Sequence, residues 1–76
     1  MRWLHRDWKP WAEKQGIHLL RDDFRYIEAG IGRLPVDMQK KAARMYVQVW
    51  LKASDQNKGR FAANQYLLDL THIYGD

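Results

Sequence analysis

The sequence predicts an all-α fold, a small bundle or orthogonal array of three or four helices, and three observations carry that reading. Apolar residues recur at spacings of three and four through most of the chain. No stretch alternates apolar and polar side chains for more than a few positions, and no Asn-Gly or Asp-Gly hairpin pair occurs. Turn-forming residues gather at Gly16, at Gly30 to Pro35 and at Ser54 to Gly59, which divides the chain into four segments.

Proline suits the first turn of a helix, where its missing N–H costs nothing, so the first helix is expected from about Pro10 to Gln15 with Gly16 closing it. Residues 1–9 are then either a short preceding turn of helix or an N-terminal arm. Leu20, Phe24 and Ile27 place a second helix over Ile17 to Ala29. Asp22 and Asp23 lie near its start, where carboxylates complement the positive helix end. Gly30 and Gly32 end it.

From Pro35 to about Ser54 no glycine or further proline interrupts the chain, and this is the longest expected helix. Met38, Ala42, Met45 and Val49 form an apolar stripe flanked by Tyr46, Trp50 and Ala53. Asp37, Lys40, Lys41, Arg44, Gln48 and Lys52 take the other side, with Leu51 projecting among them. Val36, Ala43 and Val47 widen the apolar arc, as expected for a central helix packed on more than one neighbour. Trp50 belongs to the core between the third and fourth helices. The Ser54 to Gly59 turn then breaks the helix, and Asp55 or Asn57 is available to cap the next one, expected to begin near Arg60. Ala62, Ala63, Tyr66, Leu67, Leu70, Ile73 and Tyr74 cluster on one face of that helix. Phe61 and Leu68 fall on the opposite, polar side, as a second packing contact or as a patch for a partner.

A chain of 76 residues makes one small domain, residues 1–76. A domain of this size buries only about 60% of the surface its unfolded form exposes. Without cysteine there is no disulfide, no thiolate metal site and no cysteine nucleophile. No apolar run approaches the length of a membrane span or signal core, so a cytoplasmic location is expected. His5, His18 and His72 stand far apart with no metal-ligand spacing, and adjacent Asp22 and Asp23 point about 100° apart on a helix. Neither a nucleophile-base constellation nor a phosphate-binding loop is present, so the expectation is no enzyme, no metal and no cofactor.

Net charge is +4, unevenly spread. Residues 33–60 carry +5, residues 1–16 carry +2, residues 17–32 carry −1 and residues 61–76 carry −2. Within the basic segment, Arg33, Lys40, Lys41, Arg44, Lys52, Lys58 and Arg60 make a candidate phosphate-facing stripe, and an ordinary solvated helix face is the competing reading. The N-terminal run interleaves Trp3, Trp8 and Trp11 with Arg2, His5, Arg6 and Lys9. Indole faces stack on bases and guanidinium groups lie along phosphates, but so small a domain also needs large side chains in its core.

Arg33-Leu34-Pro35, a long helix with Tyr46, and then Asn57-Lys58-Gly59-Arg60-Phe61-Ala62-Ala63-Asn64-Gln65-Tyr66-Leu67-Leu68-Asp69-Leu70 resemble a helical segment of temperate-phage replication proteins of the gene A endonuclease family. The likeness covers about half of the chain. That family's catalytic tyrosines and metal ligands belong to another domain, so no catalytic residue carries over. The resemblance implies a phage or mobile-element origin and a setting in replication or near DNA.

The expected function is therefore a non-catalytic interaction module that contacts nucleic acid or a nucleoprotein complex through its basic side. The alternative is an inhibitor or adaptor of a host protein machine, anchored by Trp3, Trp8, Trp11, Phe61 and Leu68. A homodimer is a third arrangement.

Overall fold

The structure is a computed structural model that describes residues 5–75. Four helices follow one another with no strand among the described residues: α1 (His5–Lys14), α2 (Arg21–Gly32), α3 (Val36–Leu51) and α4 (Gln56–Tyr74). The all-α expectation holds. The core lies where α3 and α4 pack along each other and α2 crosses both, and α1 docks onto this unit through its side chains.

Helix α1 begins well before the expected Pro10, which sits inside it. Trp8 and Ala12, four residues apart, share one face, and both are buried. Helix on both sides of the proline is needed to put them there, and Trp8 anchors it by donating Nε1–H to the Ala43 carbonyl at 2.8 Å. Residues 1–4, including Trp3 and the first part of the expected arm, lie outside the described residues, and residues 5–9 are helix, not arm.

Gly16, at φ +105°, turns the chain out of α1, and Ile17 to Leu20 are not helical as expected from their spacing. Helix α2 starts at Arg21 because Asp23 reaches back to accept the Leu20 N–H at 2.8 Å, holding Leu20 extended. This is the return half of a capping box, made without a polar residue at the cap itself. Gly30 and Gly32 fall within α2 rather than ending it at Ala29, since Ile27 and Ile31 must both reach the core.

Helix α3 turns a different face inward from the one its methionine stripe suggests. Ala42, Ala43, Tyr46, Val47 and Trp50 are buried together with Gln39, whereas Met38, Met45 and Val49 are half-buried at the edge. Two large aromatic side chains outweigh the flexible methionines in choosing the buried face. Phe24, Trp8, Tyr46 and Trp50 form a chain of rings through the core, with centroids 6.1, 6.2 and 6.0 Å apart and inclined geometries. A cation stands at each end: Lys9 Nζ is 4.6 Å from the Phe24 centroid and the Arg60 guanidinium 5.1 Å from that of Trp50.

Asp55, one of the two expected caps, accepts the Lys58 N–H at 2.8 Å and starts α4 at Gln56, four residues before Arg60. Gly59 is thus a helical residue, not a turn residue. It lets α4 lie directly on Trp50: a Cβ at this position would sit 2.6 Å from the Trp50 carbonyl oxygen and against its indole ring. Alanine in a helix is ordinarily favoured over glycine by about 0.8–1.0 kcal/mol. Here the overlap involves backbone, which cannot step aside, and overpacking costs about 1–3 kcal/mol. Gly59→Ala is therefore expected to destabilise the fold and lower the midpoint of urea unfolding. A raised midpoint would show that α4 has room to shift.

Candidate nucleic-acid interface

The outward side of α3 is where the sequence placed its basic stripe. Lys40, Lys41, Arg44 and Lys52 are all exposed, with Asp37 and Gln48 beside them, and Leu51 projects among them. Lys40, Lys41 and Arg44 occupy little more than one turn, and Lys52 follows about 12 Å further along the axis. Lys58 is exposed in the first turn of α4, where its backbone N–H serves the Asp55 cap. Arg33 is exposed just after α2.

Arg60 does not belong to this surface. Its Nε donates to both Asp23 carboxylate oxygens, at 2.9 and 3.1 Å. One terminal nitrogen donates to the His18 carbonyl at 3.0 Å and the other to Asn57 Oδ1 at 3.1 Å. Lying over the Trp50 ring, the guanidinium is committed to tying α2, α4 and the Gly16–Leu20 segment together. Gln56 finishes the same junction: its Oε1 accepts from Trp50 Nε1 and from the His18 N–H, each at 2.9 Å, and its Nε2 donates to the Gly16 carbonyl at 3.0 Å.

The proposed protein anchors divide. Trp8 is 6% exposed and hydrogen-bonded in the core, so it is not a partner-binding residue. Trp11 is half-buried against the core, and Trp3 lies outside the described residues. Phe61, at 74%, and Leu68, at 41%, do face outward, two turns apart on α4. Ile73 and Tyr74, assigned to the inner face from their spacing, are exposed, while Thr71 is buried with its hydroxyl donating to the Leu68 carbonyl. The inner face of α4 runs instead through Gly59, Ala63 and Leu67 to Thr71, one residue in four, because glycine and alanine permit the closest approach to α3.

Tyr46 closes the inner polar network by donating its hydroxyl to Asn64 Oδ1 at 2.5 Å. Burial, reinforced by the nearby Asp23 carboxylate, pushes its phenol well above the ordinary range, so it stays neutral and serves as a donor. Among the described residues no three histidine or carboxylate side chains converge as a metal site.

No family model, curated protein or solved structure matches this chain. The candidate surface therefore rests on its own chemistry, and a second basic cluster is formed only in the folded chain. Arg6 and Lys9 of α1 and Arg21 and Arg25 of α2 meet around a cleft of about 570 Å³ whose apolar lining is Pro10, Leu19 and Phe24. Residues 17–32 sum to a negative charge, which concealed it. The i, i+4 spacing of Arg21 and Arg25 was the available signal, since Asp22 is rotated about 100° from Arg21 and Asp23 is turned inward to Arg60.

Proposed function

We propose that this chain is a non-catalytic helical module that contacts nucleic acid through the outward face of α3, in the phage or mobile-element setting that its Leu-Pro turn and last helix suggest. The observation that carries the reading is the concentration of Lys40, Lys41, Arg44 and Lys52 on one exposed helix side, with Asp37 the one acid among them. Lysine ammonium groups on flexible stems neutralise phosphates without reading base edges. Binding is therefore sequence-tolerant and driven by counterion release. With four phosphate contacts, log K falls against log salt with a slope of about −3 to −4.

Fluorescence anisotropy with labelled DNA and RNA oligonucleotides across a salt series tests this. Changing Lys40, Lys41 and Arg44 together to glutamate is expected to abolish binding while leaving the unfolding midpoint close to that of the unaltered protein, since all three side chains are exposed. Retained binding at low salt would remove α3 from the interface. Phe61 supports a second reading, an adaptor or inhibitor of a host protein, because its ring is held in solvent on the outward face of α4. In that case a protein partner recovered after nuclease treatment is lost on Phe61→Ala and kept in the α3 variant.

A further inference from the structure

Resting on the nucleic-acid reading of α3, we propose that the substrate is B-form double-stranded DNA, with α3 lying in the major groove and a cation on each of its flanks reaching one of the two phosphate walls.

The order of side chains around α3 fits a groove. At about 100° per residue, every exposed side chain from Asp37 to Lys52 falls within an arc of about 120°. Lys52 belongs to this arc because its backbone stays helical, at φ −74° and ψ −17°. Lys40 stands at one border and Lys52 at the other, while Asp37, Arg44 and Gln48 lie near the middle line. A carboxylate on that line repels a phosphate strand laid along it. In a groove the middle line meets base edges, which carry amino donors as well as acceptors, and the phosphates stand to either side.

The same face is ill suited to other nucleic acids. Single strands are held by stacking on aromatic rings as well as by charge, and α3 turns both of its rings inward, with Tyr46 0% and Trp50 2% exposed. The major groove of A-form RNA is too deep and narrow to be read. That of B-form DNA is about 12 Å wide and admits an α-helix, whose diameter with side chains is about 10–12 Å.

The neighbouring elements hold α3 ready for this fit. Arg33, Leu34 and Pro35 alone join it to α2, which packs across it. This is the plan of a helix-turn-helix pair, whose second helix enters the major groove. The joint is firm. Leu34 is 3% exposed, donates its N–H to the Ile31 carbonyl at 3.0 Å and accepts from Gln39 Nε2 at 3.0 Å on its own carbonyl.

Competition against a labelled oligonucleotide, with one sequence supplied as duplex DNA, as duplex RNA and as each single strand, is the test. Duplex DNA is expected to bind at least about eightfold more tightly than the other forms, the value of one phosphate contact at about 0.1 M salt. Lys40→Ala and Lys52→Ala should each reduce the salt slope on duplex DNA by about 0.9, because each flank meets its own phosphate wall. Both side chains are exposed, so neither change should move the unfolding midpoint. Methylation of guanine N7, in the major groove, should interfere with binding, and methylation of adenine N3, in the minor groove, should not. Duplex RNA or single strands binding as tightly as duplex DNA, a salt slope unaltered by either alanine, or interference from adenine N3 alone overturns the groove assignment while leaving the nucleic-acid reading in place. Failure of every form to bind overturns both.

Discussion

Trp50→Ala is expected to lower stability by about 3–5 kcal/mol, the usual cost of removing a buried large aromatic side chain and leaving a cavity. At about 0.05–0.15 kcal/mol per residue, a chain of 76 residues has only about 4–11 kcal/mol in total. The loss should therefore leave the variant largely unfolded or barely cooperative in urea. Burial and two close contacts set the size of the effect. The indole is 2% exposed, Tyr46 packs 6.0 Å away centroid to centroid, and Gly59 brings the α4 backbone onto the ring. Its Nε1–H, donated to Gln56, also holds the residue that fastens Gly16 and His18. Trp50→Phe keeps most of the ring volume but leaves Gln56 Oε1 short of one donor, so an intermediate midpoint is expected. A midpoint unchanged in Trp50→Ala would mean that α4 does not rest on this side chain.

The four-segment division and the all-α class were legible because glycine, proline and the capping aspartate act locally. Asp55 could be recognised as a cap from its neighbours alone, and Trp50 as core from its place beside the turn. Helix limits were less legible wherever a distant residue decides them. Pro10 reads as a helix start until Trp8 is known to reach Ala43, and Gly59 reads as a turn until the ring beneath it is known. The rotation of α3 and α4 followed from the same cause. A wheel counts methionine, isoleucine and tyrosine as equally apolar, whereas packing favours the positions where glycine and alanine let backbones approach and aromatic rings fill the space.

The candidate sites show the same division. The α3 part of the stripe was readable because Lys40, Lys41 and Arg44 lie on one helix and Lys52 caps its end, so periodicity gathers them. Arg60 was counted with them because sequence cannot show that its guanidinium turns inward to an aspartate thirty-seven residues away. The arginines of the cleft come from two helices, and a running charge sum merges them with acids that point elsewhere. Trp8, Tyr46 and the Asp23–Arg60 pair are structural for a similar reason: each joins segments that only the folded chain brings together.

Asp23→Ala is the second large effect expected, because the carboxylate does three jobs. It receives both Arg60 bonds, caps α2 through the Leu20 N–H, and stands close enough to Tyr46 to raise its phenol pKa. Removing one partner of a buried ion pair costs about 3–5 kcal/mol, since the other charge is left without compensation. Arg60 is 20% exposed on its side chain against 7% for Asp23, so water reaches the stranded guanidinium and the lower end of that range, about 3 kcal/mol, is expected. Combining Asp23→Ala with Arg60→Met removes the uncompensated charge while keeping an apolar stem on Trp50. The double variant should recover part of the lost midpoint, and the remainder measures the α2 cap. Spectrophotometric titration of the phenol gives a second reading, with Tyr46 ionising at lower pH once Asp23 is gone. Should the double variant prove no more stable than Asp23→Ala alone, the aspartate would be acting through the cap and not through the pair.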